Sequence, residues 1–516
     1  MDKILILDFG GQTTQLIGRR IRDIGVYTEI LPADTRLTPE VLAEVRGIVL
    51  SGSPYSVNDP DPPWPDPSVF ECGLPLLGIC FGTQVLMKHF GGQVTSLPTR
   101  EYGKAKVLFK KNSPLFEGVP ENFASWMSHG DSIDFLAQGF EVVGESQNGI
   151  PAAVEAAQLP YFGLQFHPEV SHCEYGNRIL ENFSVHICGA AKSWTMDRYI
   201  EDTVEGIREK VGNRKVLLLI SGGVDSTVVA GLLLRSLPAD QVYLLHIDTG
   251  LMRKNESREV IRDLEQLGAS HLHFVDASEE FLAALQGEAD PEKKREIIGD
   301  LFITIQDREV KRLKVEDAYL AQGTLYTDLI ESGKGVGEKA QVIKSHHNVR
   351  SPLVEEKRSR GLILEPLDRI YKDEVRRVGR KIGISEDVVS RHPFPGPGLA
   401  VRILGEVTPE KCALLREADA LYIEELKKRE LYHQIWQAFS VLLPIRSVGV
   451  TGDARHYGYV LALRAVISSD GMTADVYPFP FNDLHEISSL ITNSLKDIGR
   501  VVYDCSSKPP STIEWE

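Results

Sequence analysis

The stretch Val216-Leu217-Leu218-Leu219-Ile220-Ser221-Gly222-Gly223-Val224-Asp225-Ser226-Thr227 reads as a buried strand that runs directly into a glycine turn and then a helix. An apolar run without polar alternation fits a strand covered on both faces, the habit of parallel sheets. The glycine pair lets the backbone close on an anion, and the successive N–H groups with the helix start supply positive potential. Ser221 and Ser226 add hydroxyl donors. Asp225 would repel a phosphate by itself, so a bridging Mg²⁺ is expected, with Asp225 as its ligand. The Gly-Lys-Ser/Thr of a Walker A loop is absent.

Strands are expected downstream at 242–247 and 272–275, with a helix at 257–267. Upstream, strands are expected at 4–7, 47–50, 75–79 and 161–166, and helices at 12–24 and 84–90. Strands alternating with helices predict parallel sheets covered on both faces. The fold class expected is therefore α/β. Two doubly wound parallel-sheet domains (1–190 and 191–390) precede a smaller α+β domain (391–516). The last opens at Arg391-His392-Pro393-Phe394-Pro395-Gly396-Pro397-Gly398, which can be neither helix nor central strand.

A second motif lies in Gly78-Ile79-Cys80-Phe81-Gly82. Small residues two before and two after Cys80 match a strand-to-helix elbow that pushes one side chain outward. The Phe81 N–H and the helix start then face the reacting centre and favour thiolate over thiol. A base follows the strand that ends at Gln165-Phe166. His167 can take the thiol proton, and Glu169, two residues on, can hold the imidazole tautomer.

Composition narrows the partners. The 516 residues carry 57 Lys+Arg against 73 Asp+Glu, a net charge of −16. A protein that mainly grips nucleic acid needs a basic footprint, so no nucleic-acid partner is expected. No apolar run approaches the ~20 residues of a membrane span, and no membrane partner is expected. Cysteines at 72, 80, 173, 188, 412 and 505 form neither a disulfide framework nor a zinc pattern, which suits a reducing cytoplasm.

The residues 75–84 and 165–169, with Asp8-Phe9-Gly10 and Ser51-Gly52-Ser53-Pro54, resemble a class I glutamine amidotransferase domain. The resemblance implies hydrolysis of glutamine through a thioester on Cys80, with Gly52 and Phe81 N–H groups as the oxyanion hole. It also implies that Gln84, Ser128 and His129 help to hold the substrate glutamine. The S-G-G-x-D-S loop resembles the PP-loop of N-type ATP pyrophosphatases. Ser221, Gly222, Gly223, Val224, Asp225 and Ser226 would then bind ATP, which is split between its α and β phosphates.

Later segments select the acceptor by resemblance alone. They are 321–332, 342–349, 391–402, 449–464 and Lys508-Pro509-Pro510-Ser511-Thr512-Ile513-Glu514-Trp515-Glu516. They are similar to the synthetase core of the glutamine-hydrolysing GMP synthetase family, and the match runs essentially the full length. The family implies glutamine, ATP and xanthosine monophosphate (XMP) as substrates and a homodimer formed through the C-terminal domain. It implies XMP contacts at Arg455, Lys508, Ile513 and Glu514. By their own residue types Lys344 and one of the adjacent histidines, His346, read as phosphate contacts, with a solvated polar loop as the alternative. Two other readings compete: a PP-loop enzyme that modifies tRNA, and a catalytically dead glutamine or nucleotide sensor. The acidic balance disfavours the first, and the intact motifs disfavour the second.

Overall fold

The computed structural model describes all residues except 332–351, 452–453 and 469–472. Chain contacts divide it into two compact units: the first holds Met1–Tyr199 and a segment that opens at Tyr326, and the second holds Ile200–Leu325 and the chain onward to Glu516. The short helix Tyr326–Glu331 belongs to the first unit, where the Tyr326 hydroxyl accepts the Ile30 N–H at 2.6 Å.

In the first unit the strands are β1 (Lys3–Asp8), β2 (Tyr27–Pro32), β3 (Val45–Leu50), β4 (Leu76–Ile79), β5 (Gln93–Phe109), β6 (Asn122–Phe135), β7 (Phe140–Ser146), β8 (Pro151–Ala156) and β9 (Tyr161–Leu164). They form one nine-stranded sheet in the order β2-β1-β3-β4-β9-β8-β7-β5-β6. The stretch from β2 to β9 is parallel, as expected. From β9 outward the pairing turns antiparallel, an extension that the sequence reading did not include. Alternation along β1 explains the layering. Ile4 and Ile6 enter one apolar core, and Leu5 and Leu7 enter the core on the opposite face. All four are fully buried, which stabilises the fold by about 1.5–3 kcal/mol per side chain.

The second unit begins with β10 (Val216–Ile220), β11 (Val242–Asp248), β12 (His271–Asp276), β13 (Tyr319–Ala321) and β14 (Ile363–Leu364). They form an all-parallel sheet in the order β12-β11-β10-β13-β14. The chain winds first to one side of β10 and then to the other, which opens a crevice at the carboxyl ends of β10 and β13. A further sheet holds β15 (Gln437–Thr451), β16 (Ala454–Ile467), β17 (Asp475–Val476) and β18 (Ile498–Tyr503). Position 391 lies within this unit. One apolar core runs from Leu217 and Leu245 through Leu399 and Leu415 to Leu461 and Ile487. Its long helices carry clear start signals. Asp290 caps Pro291–Leu313 by accepting the Lys293 N–H at 3.0 Å, and Thr408 caps Pro409–Lys428, each with proline in the first turn. Among the described residues, no helix is long and apolar enough to cross a membrane.

Candidate active sites

The thiol site stands at the carboxyl ends of β3, β4 and β9. Cys80 follows β4 with φ 52° and ψ −105°, a left-handed backbone that costs a side-chain-bearing residue about 1–3 kcal/mol. Its neighbours make the turn feasible. A Cβ on Gly78 would lie 2.6 Å from the Gly82 carbonyl carbon, and one on Gly82 would lie 2.2 Å from the Leu50 carbonyl oxygen. The helix Phe81–His89 starts at once, so the Phe81 N–H is one of the donors that a helix start leaves unpaired.

His167 and Glu169 meet as the i, i+2 spacing predicts: Nδ1 and Oε1 are 2.7 Å apart. Glu169 is fully buried, and Arg20 donates its Nε–H to the Glu169 carbonyl at 2.9 Å. Burial pushes the His167 imidazole down. The charge of Glu169 and hydrogen bonds to Cys80 and Glu169 outweigh it and hold the ring well above its ordinary value. Protonated imidazole beside sulfur is the charge arrangement that favours a thiolate.

Gly52 closes the other side. A Cβ there would come within 3.2 Å of His167 Cε1, so glycine keeps the ring's space open. Its loop is pinned from both directions. Ser51 Oγ accepts the Phe9 N–H at 3.0 Å, Ser53 donates to the Phe9 carbonyl at 2.7 Å, and Asp8 accepts from Thr14 at 2.8 Å.

Of the residues expected to hold glutamine, Gln84 is buried. It donates to the Asp131 carbonyl at 3.0 Å and lies 3.5 Å from Gln165 Oε1. Ser128 brings its carbonyl oxygen 3.7 Å from Cys80 Sγ. The His129 ring instead turns inward. Nδ1 contacts the Asp131 carbonyl at 3.0 Å, while Nε2 faces Glu101 at 3.2 Å without hydrogen-bond alignment. Burial lowers its proton affinity despite Glu101. Gln165, quoted in the sequence only as the end of a strand and part of the resembling motif, donates to Cys80 Sγ at 3.7 Å.

The phosphate loop follows β10 into the helix Val224–Ser236. Gly222 takes φ +84°, and a Cβ there would meet Val260 Cγ2 at 2.9 Å. Ser221 and Gly223 are exposed on the loop, whereas Gly222, Val224 and Ser226 are buried. The Ser221 and Ser226 hydroxyls lie 3.3 Å apart, and Ser226 Oγ donates to the Gly223 carbonyl at 3.1 Å. Asp225 Oδ2 meets Lys372 Nζ, while Oδ1 is buried with no hydrogen-bond partner. An orphaned carboxylate oxygen beside a glycine loop at a helix start fits a hard divalent cation. Gly323, after β13, is pressed against Asp225: a Cβ there would be 3.2 Å from Asp225 Cβ. Arg391 donates to the Gly222 carbonyl at 3.1 Å. Neither Lys372 nor Arg391 carries a local signal for these roles.

The C-terminal tail is folded back on its unit. Ile513 is buried with Phe439, Val441, Ala462, Val466 and Ala474. Glu514 accepts from Arg402 at 3.1 and 2.8 Å and from Gln437 at 2.7 Å. Lys508 pairs its backbone with Ala474, near the β17 end of the sheet. Arg455 is exposed at the opposite end of the β15–β16 hairpin, paired with Val450, whereas Val466 pairs with Gln437. Eleven residues of strand from 455 to 466 span roughly 36 Å. One chain therefore does not gather the four expected acceptor residues. Lys344 and His346 lie outside the described residues.

Comparison with known proteins agrees with this layout. The family model for class-I glutamine amidotransferases matches residues 5–187, that for NAD synthase 196–300, and that for the GMP synthase C terminal domain 424–515. The chain is 49% identical to the glutamine-hydrolysing GMP synthase of Chlorobium phaeovibrioides, with 100% of both chains covered. It is 47% identical to that of Chlorobaculum tepidum, covering 100% of this chain and 99% of that one. The Caldicellulosiruptor saccharolyticus enzyme is 47% identical over 99% of each. A thiol elbow, a phosphate loop and a C-terminal domain in this order, matched end to end at such identity, make the chain a member of the glutamine-hydrolysing GMP synthase family.

Proposed function

We propose that the chain makes GMP by joining two chemistries. Cys80 sulfur attacks the glutamine carboxamide carbon, and His167 passes the thiol proton to the departing ammonia. Water then hydrolyses the thioester to glutamate. Gly52 and Phe81 N–H groups stabilise the oxyanion, each by about 3 kcal/mol. Gln84 and the Ser128 carbonyl shape the glutamine pocket, and His129 supports it from behind.

In the second site the loop Ser221–Ser226 holds the pyrophosphate of ATP. When bound, Mg²⁺ supplies charge neutralisation there; Asp225, with its orphaned oxygen, is the residue that would hold it. The C2 oxygen of XMP attacks the α phosphorus and releases pyrophosphate. Ammonia then adds at C2, and AMP departs with the oxygen. Adenylation is required because a carbonyl oxygen is a poor leaving group.

XMP is assigned to the tail. Arg402 and Gln437 occupy three of the roughly four lone-pair positions of Glu514, and the last, on Oε2, is free to accept a base N–H. Lys508 supplies a cation for the phosphate, Ile513 an apolar anchor, and Lys344 and His346 further phosphate contacts. Arg455 completes the site from a second copy of the chain. Exposed Ile445, Val448, Val450 and Tyr457 on the same hairpin support a homodimer through this domain: they are 56, 51, 77 and 57% exposed. Free nucleotides and glutamine as substrates suit the cytoplasm.

The observation that carries this reading is the left-handed Cys80 beside the buried His167–Glu169 pair in a chain that also bears the phosphate loop. Cys80→Ala tests the division of labour. Glutamine-dependent synthesis should vanish while synthesis from ammonium persists. Loss of both in a folded variant would overturn it.

A further inference from the structure

Lys294 stands in Glu292-Lys293-Lys294-Arg295-Glu296, a run that reads as a solvated helix face. Its side chain is nevertheless 0% exposed. Each of the three ammonium protons has an acceptor: the Ala400 carbonyl at 3.2 Å, the Ile403 carbonyl at 2.8 Å and Glu516 Oε2 at 2.7 Å. The neighbouring Arg295 donates to the Glu516 backbone oxygen at 2.6 Å, and the Gly405 N–H reaches Glu516 Oε1 at 3.4 Å.

Those acceptors come from two segments that meet again at the acceptor site. Ala400 and Ile403 flank Arg402, itself 0% exposed, whose guanidinium grips Glu514. Glu516 ends the tail that carries Glu514. One buried ammonium thus binds both the turn that presents the arginine and the tail that presents the carboxylate. On the other side of Glu514, Arg464, also 0% exposed, donates to the Thr512 carbonyl at 3.2 Å. The tail is clamped before and after its functional carboxylate.

Stability alone does not account for this arrangement. Apolar packing of similar volume stabilises a fold as well as a buried ion pair does, whereas an ion pair with directed hydrogen bonds selects one geometry. We propose that Lys294, through Glu516, is a positioning residue for the acceptor nucleotide: the latch sets the Arg402–Glu514 pair in the one place where it can read the purine base. The inference rests on the assignment of XMP to the tail.

The test is ammonia-dependent GMP formation by Lys294→Met, Glu516→Gln and the double variant, with XMP and ATP varied separately. Each single change should raise the KM for XMP by about tenfold or more, with kcat and the KM for ATP within about twofold. The double variant should be no worse than the poorer single one, because both remove the same contact. Labelling of the Cys80 thiol should be unaffected. Glu514→Gln is measured alongside. If it raises the KM for XMP while the latch variants do not, the latch is wrong and the tail site stands. If Glu514→Gln is also silent, the tail site itself is wrong. An equal rise in the KM for ATP would mean general damage and would also overturn the positioning role. Should Lys294→Met fail to fold, Glu516→Gln carries the test, since its side chain lies at the rim, 10% exposed.

Discussion

Asp225 and Lys372 lie 147 positions apart in the chain, yet the lysine ammonium sits on one carboxylate oxygen of the aspartate and leaves the other orphaned. The pair joins the phosphate loop to the start of the helix Lys372–Lys381, so a cation and a cation ligand share one corner of the site. Lys372→Met removes the cation while keeping the length of the stem. The KM for ATP should rise about tenfold and ammonia-dependent kcat should fall by at least as much. Cys80 should label normally. Unchanged ATP kinetics would show the lysine to be a surface partner only.

Glu169 is the main source of positive shift at His167, against the pull of burial. A raised imidazole keeps its proton at neutral pH and loses it only as the pH climbs through the raised value. Glu169→Gln keeps a hydrogen-bonding group and removes the charge. The alkaline limb of the glutaminase profile should therefore move to lower pH, and kcat should fall at least about a hundredfold. An alkaline limb that stays in place would mean that Glu169 orients the ring without charging it.

Gly82 packs against the β3 backbone, where a methyl group would sit 2.2 Å from the Leu50 carbonyl oxygen. The contact is with main chain, so neither side can yield cheaply. Gly82→Ala should destabilise the first unit by about 1–3 kcal/mol and abolish glutamine use. Synthesis from ammonium should continue. Thermal unfolding and the two assays together check this, and an unperturbed glutaminase would remove the elbow argument.

His392 supplies a pH-dependent term in the second unit. It stacks on Tyr432, donates from Nε2 to the Tyr432 carbonyl and accepts the Ala438 N–H at Nδ1, as only the neutral ring can. Burial lowers its pKa to about 4 from an ordinary 6.5. The sign follows: this stability is complete above pH 6.5 and is lost as the pH falls from there through 4, about 3 kcal/mol in all. His392→Asn cannot gain that proton. Its urea midpoint should depend less on pH between 6.5 and 4 than that of the parent chain. Equal slopes would contradict the assignment.

What the sequence discloses depends on how local its cause is. The elbow at Cys80 is legible because a left-handed nucleophile demands glycine at 78 and 82. The His167–Glu169 pair is legible because a spacing of two places both side chains on one side of an extended segment. The β10 loop is legible for the same kind of reason. β5 is not. Pro98 and Gly103 interrupt its pattern, and lysines alternate through its second half, as suits an antiparallel strand partly open to water. The contacts of Lys372, Arg391 and Lys294 leave no trace in the sequence, since their partners are chosen by tertiary packing over separations of 147, 169 and 222 residues. The folded-back course of the tail is hidden for the same reason. Its anchors, Arg464, Arg402 and Lys294, lie elsewhere.

If the loop Ser221–Ser226 directs cleavage between the α and β phosphates and puts AMP on the acceptor oxygen, that oxygen must leave in AMP. The most direct measurement supplies XMP labelled at the C2 oxygen, with ATP and ammonium, and follows the label by mass spectrometry. The label is expected in AMP, with pyrophosphate released and no ADP formed. Label in orthophosphate, with ADP as the product, would contradict it.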